Sequence, residues 1–120
     1  MRVAIIGLGG VGGYICASFA KAGVDVVGFA RGEHLSSITK NGLTIVEDEA
    51  QWSVEIDARE INMADGYFDA VLFCVKSYDL QESYNEISPF IDKNSILISF
   101  ANGVDNAQKL KEMSNSIVLD

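Results

Sequence analysis

The chain has little of what usually anchors metals, disulfides or nucleic acids. It holds one histidine, His34, one proline, Pro89, and two cysteines, Cys16 and Cys74. The cysteines stand far apart in apolar segments and fit no metal-ligand spacing, so no metal site is expected. They read as buried free thiols of a reducing cytoplasm, with a disulfide as the alternative. Basic residues are scarce, 9 against 17 acidic, and the net charge is −8 with a pI near 4.5. That balance excludes a nucleic-acid partner, whose affinity rests on phosphate neutralisation. The apolar stretch after Arg2 breaks at a glycine-rich loop. No apolar run approaches the roughly 20 residues that span a bilayer, and no cleavage site of a signal peptide follows it. Met1 is therefore taken as the native start. The 48% hydrophobic content and mean hydropathy of +0.17 suit one packed soluble domain of 120 residues, not a disordered chain.

What is present is glycine, placed with a purpose. Residues 3–12 read Val-Ala-Ile-Ile-Gly-Leu-Gly-Gly-Val-Gly. An apolar strand runs into Gly7-x-Gly9-x-x-Gly12, and a helical pattern follows at once. Gly7 permits a tight turn out of the strand. Gly9 lets the backbone approach a pyrophosphate. Gly12 lets the helix pack closely on the sheet. The helix start adds free N–H groups and the positive end of its dipole. A glycine-rich turn without a ligand is the plainer reading, but the strand-before, helix-after context favours a dinucleotide. Global negative charge does not oppose it, because local backbone donors hold such phosphates.

Periodicity gives the rest of the chain. Residues 2–6 form the first strand, 11–22 a helix closed by Gly23, and 24–30 the second strand. A short helix over 33–40 follows. Residues 43–47 and 52–56 read as a hairpin with an acidic turn, and 59–66 as an irregular connection with a short strand at 61–62. Strand 69–75, helix 78–87 stopped by Pro89, strand 95–100, a helix over 106–113 N-capped by Asp105, and a strand from 117 complete the series. This predicts an α/β, Rossmann-type, mainly parallel sheet with helices on both faces and a short β-hairpin insertion. The lack of a closing helix after Asp120 suggests the N-terminal part of a larger protein.

The end of the second strand bears on the cofactor. NAD-binding domains usually carry an acid there, for the ribose 2′-OH. This chain carries Arg31, whose forked cationic donors suit the 2′-phosphate of NADP. Ser36 or Ser37 would add weak donors, and Glu33 would point away. A solvated surface arginine is the plainer reading of Arg31, and His34 reads as a surface residue. Ligands lie beyond the carboxyl ends of parallel strands, so Lys76 and Asn102 are expected toward the nicotinamide and substrate end. Taken alone, Lys76 could equally be a solvated loop lysine and Asn102-Gly103 an ordinary turn.

Five segments in order resemble the N-terminal domain of the 2-dehydropantoate 2-reductase (ketopantoate reductase) family. They are Gly7-Leu8-Gly9-Gly10-Val11-Gly12-Gly13, Arg31-Gly32-Glu33-His34-Leu35, Asn41-Gly42-Leu43, Val75-Lys76-Ser77-Tyr78-Asp79 and Asn102-Gly103-Val104. The resemblance implies NADPH-dependent reduction of a 2-oxo acid, 2-dehydropantoate to pantoate, on the route to pantothenate and coenzyme A. It implies cofactor contacts from Gly7, Leu8, Gly9, Gly10, Val11, Gly12, Arg31, Lys76 and Asn102. It also implies that the catalytic lysine lies in a helical C-terminal domain that residues 1–120 do not include. The isolated chain is then expected to be inactive, and its exposed domain interface to favour self-association. Two other readings remain open: another NAD(P)-dependent dehydrogenase domain, or a regulatory nucleotide-sensing module.

Overall fold

The computed structural model describes residues 1–100 and 105–119. Its strands are β1 (Arg2–Ile6), β2 (Asp25–Phe29), β3 (Leu43–Glu47), β4 (Ala50–Val54), β5 (Asp57–Arg59), β6 (Ala70–Phe73), β7 (Ile96–Ser99) and β8 (Ile117–Leu119). Its helices are α1 (Gly10–Lys21), α2 (Gly32–Asn41), α3 (Leu80–Ile87) and α4 (Asn106–Met113). Single 3₁₀ turns cover Ile61–Met63, Ser77–Asp79 and Ser88–Phe90.

Six strands form one sheet in the order β5-β2-β1-β6-β7-β8, and every pairing is parallel. Without the hairpin strands this is the doubly wound order 3-2-1-4-5-6, whose direction reverses between β1 and β6. Strand alternation divides the core between the two faces. Ala4, Ile6, Val71 and Phe73 face one side, with Leu80 and Ile87 of α3 and Leu110 of α4. Val3, Ile5, Ala70 and Leu72 face the other, with Cys16 and Ala17 of α1, Ile38 of α2 and Leu43 of the hairpin. Burial on both faces explains why β1 and β6 are continuous apolar runs. The buried stripe of α1 is Gly12, Gly13, Cys16 and Ala17. These residues are small enough to bring the helix backbone close to the sheet.

Three local expectations are corrected. The hairpin pairs Glu47 with Ala50, so its second strand starts two residues early and the turn holds only Asp48 and Glu49. Asp48 makes this possible by taking φ +50, a conformation aspartate tolerates better than most residues. The short strand expected at 61–62 is a 3₁₀ turn; the strand lies just before it, at β5. Three residues are too few to show a period. Asp105 precedes α4 but does not cap it through its side chain. Its φ of +70 departs from the extended backbone that capping residues adopt.

Candidate functional site

The site begins where β1 ends. Gly7 has φ +96, and a Cβ there would stand 2.5 Å from the carbonyl oxygen of Cys74. Its N–H donates to the Phe29 carbonyl at 2.9 Å, which ties the loop to β2. A Cβ on Gly12 would run into the carbonyl oxygen of Gly7 and lie 2.9 Å from the Cβ of Cys74. Among the described residues, no atom beyond the adjoining backbone lies within 4 Å of the Cβ position of Gly9 or Gly10. The loop is therefore closed on its protein side and open on its outer side. Gly9 starts α1 without a side-chain cap, and the first turn carries no acid. Its N–H groups and the helix dipole are thus available to an anion. Leu8 is buried in the core, whereas Val11 is exposed.

Beside this loop lies a cleft of about 380 Å³, lined by Ile6, Gly7, Leu8, Phe29, Ala30, Arg31, His34, Glu60, Ile61, Asn62, Val75, Asp79, Glu82, Ser83 and Glu86. It sits at the carboxyl ends of β1, β2, β5 and β6, where doubly wound sheets bind their ligands. Arg31 enters it from the step between β2 and α2. The chain has three arginines. Arg2 and Arg59 are held by Asp65 at 3.0 Å, and Arg59 also by Asp57 at 2.8 Å. These partners, Asp57 first, push Arg59 further above its already high value. The Arg31 side chain, by contrast, makes no hydrogen bond or ion pair among the described residues. The cleft thus contains an uncommitted guanidinium.

His34 is exposed, as expected of a surface residue, but it also lines the cleft. Its Nε2 lies 3.1 Å from the Leu8 carbonyl oxygen. A carbonyl only accepts, so this bond places the ring proton on Nε2. It ties α2 to the glycine loop. Ser36 turns its hydroxyl back to the Gly32 carbonyl at 3.3 Å. Neither Ser36, Ser37 nor Glu33 lines the cleft.

Lys76 is exposed and lies just past β6, before the 3₁₀ turn Ser77–Asp79. The cleft takes its neighbours Val75 and Asp79 but not Lys76, so the structure does not bring Lys76 together with Arg31. Asn106 at the start of α4 donates its amide to the Ser77 hydroxyl at 3.2 Å, bracing the turn after Lys76. Asn102 lies outside the described residues.

Four carboxylates of the cleft were not foreseen: Glu60, Asp79, Glu82 and Glu86. The last three had a signal in the sequence. Positions 79, 82 and 86, with Ser83, recur at helical spacing and share one face. Glu60 had none, because β5 was invisible. Cys16 and Cys74 are free and pack in the same apolar cluster beneath the loop. Burial pushes Cys16 up to about 12 and Cys74 up to about 11, so both stay protonated and unreactive near neutrality. Among the described residues no group of His, Cys, Asp and Glu could hold a metal. No described helix is long and apolar enough to cross a membrane.

A doubly wound parallel sheet with an uncapped glycine loop at its switch point defines a Rossmann-type fold. The family described as ketopantoate reductase PanE/ApbA matches residues 3–119, and the chain belongs to this family of oxidoreductases. It is 32% identical over 105 residues to the 2-dehydropantoate 2-reductase of Mesorhizobium japonicum, covering 87% of this chain and 32% of that protein. It is 33% identical over 113 residues to the uncharacterized oxidoreductase YkpB of Bacillus subtilis, covering 92% of this chain and 36% of that one. The crystal structure of a PanE/ApbA family ketopantoate reductase from Ralstonia eutropha superposes with a TM-score of 0.90 at 36% identity, over 98% of this chain and 40% of that one. The chain spans about a third of the length of the curated relatives it matches.

Proposed function

We propose that these residues form the NADP(H)-binding domain of a cytoplasmic 2-oxo-acid reductase, with 2-dehydropantoate as substrate and pantoate as product. The family supports the reaction class. The observation that carries the cofactor is Arg31, a guanidinium left unpaired at the end of β2 in a chain whose other arginines are both paired. An unpaired cation beside a helix N-terminus suits a ligand with phosphates at both places.

The residues present fit such a dinucleotide. The open side of Gly9 and Gly10 admits a pyrophosphate close to the backbone. The N–H groups of the first turn of α1 donate to it. Arg31 holds the 2′-phosphate by charge-assisted hydrogen bonds. Phe29, Ala30, Ile61 and Val75 give the cleft apolar surface for the adenosine. When bound, the nicotinamide supplies the hydride for the ketone carbon. By the family resemblance, Lys76 and Asn102 would contact the nicotinamide end and the substrate. Protonation of the alkoxide belongs to a lysine of a helical second domain, so residues 1–120 contribute position rather than acid catalysis.

Titrating the chain with NADPH and NADH tests this. NADPH should bind more tightly, by about tenfold or more, the scale of a charged hydrogen bond. Equal affinities, or a preference for NADH, would overturn the assignment.

A further inference from the structure

The cleft holds a second charged residue next to Arg31 that the family resemblance does not assign. β5 runs parallel to β2 with Phe29 opposite Arg59. The Ala30 N–H donates to the Arg59 carbonyl at 3.1 Å. Glu60 therefore leaves its strand beside the Ala30–Arg31 step, and both Glu60 and Arg31 line the same cleft. The adjacent Arg59 is turned to Asp57 and Asp65. Glu60 itself makes no side-chain hydrogen bond or ion pair among the described residues. Two opposite charges thus stand at adjacent strand ends, unpaired with each other, facing one space.

We propose that Glu60 is a specificity-determining residue that opposes Arg31 and moderates the preference for a 2′-phosphorylated dinucleotide. The proposal rests on the reading of Arg31 as the 2′-phosphate ligand. A phosphate monoester carries close to two negative charges at neutral pH, and a nearby carboxylate repels it. A ribose hydroxyl in the same place donates to that carboxylate instead. NAD-binding domains put their acid at the end of the second strand; here the acid comes from the neighbouring strand, while the second strand carries the cation. The two residues pull the same ribose in opposite directions, and the balance sets the ratio of affinities.

Adenosine 2′,5′-bisphosphate and 5′-AMP isolate this ratio, since they differ only in the 2′-phosphate. Calorimetric titration of the 120-residue chain should show Glu60→Gln strengthening the bisphosphate by about threefold to tenfold, with 5′-AMP unchanged or weaker. The gain should shrink as salt rises from about 0.01 to 0.5 M, because both groups are exposed and screened. Glu86→Gln, the same charge change on α3, should give a smaller gain. The Glu60 proposal is overturned if its variant leaves the affinity ratio unchanged, strengthens both nucleotides equally, or is matched by Glu86→Gln. Glu60→Ala repeats the measurement should the first variant fold poorly. The reading of Arg31 fails separately, if Arg31→Ala leaves bisphosphate affinity unchanged whatever Glu60 does.

Discussion

Around Gly7 and Gly12 the chain is packed to the limit of van der Waals contact. At Arg31 and Glu60, which line the same cleft as Gly7, exposed side chains face open space. The first region is made of backbone. Its carbonyls and glycines lie just past β1 and β6 and in α1, and moving any one of them moves the core. The second is made of charges past strand ends whose side chains have no partner among the described residues. The glycine loop, the proposed phosphate cradle, therefore has little room for other residues at Gly7 and Gly12. The ribose end can change its charge without touching the fold. On the proposed reading, dinucleotide binding would rest on the packed region, and the choice between dinucleotides on the open one.

The sharpest way to break this contrast is Gly12→Ala. The added methyl would collide with the Gly7 carbonyl and with the Cβ of Cys74, and neither is the loose end of a flexible side chain. Overpacking of this kind costs about 3 kcal/mol, or roughly 10 °C in Tm for a domain of this size. Thermal unfolding followed by circular dichroism measures it. A variant as stable as the parent would show that α1 can retreat from the sheet, and the cradle would lose its claim to be rigid.

Arg31→Ala probes the other region and should leave Tm unchanged, because the side chain is exposed and unpaired. Removing charge-assisted bonds to a phosphate should weaken NADPH by about tenfold to a hundredfold. NADH should bind as before. A parallel loss of both cofactors would place Arg31 with the cradle rather than apart from it.

The same division explains what the sequence reveals. β1, its glycine loop, α1 and β6 are legible because packing dictates residue types: apolar runs where both faces are buried, glycine where a Cβ has no room. Arg31 is legible because it follows a recognisable strand. Glu60 is not, since β5 has three residues and its place beside β2 comes from a crossover that no local pattern records. The bond from His34 to Leu8 spans 26 residues and leaves no periodic trace. The hairpin is legible as a pair of strands but not in its register, because the turn relies on Asp48 adopting φ +50 where the usual signal is glycine.

The smallest effect should come from Asp65, which tests whether the open end of the cleft needs its ion pairs. Its carboxylate meets Arg59 and Arg2, each at 3.0 Å, and these partners, Arg59 first, hold it below the usual carboxylate range. The sign follows from linkage. A carboxyl depressed in the folded state stabilises the fold above its unfolded value, near about 3.9, and that contribution disappears as pH falls through the lower folded value. The group is exposed, so solvent and salt screen most of the attraction. Asp65→Asn should then lower Tm by no more than about 2 °C at pH 7. The difference should shrink in high salt and close as both proteins are taken below about pH 3. A loss comparable to that of Gly12→Ala would mean that β5, and Glu60 with it, is held as tightly as the glycine loop. The ribose end would then be no freer to change than the cradle.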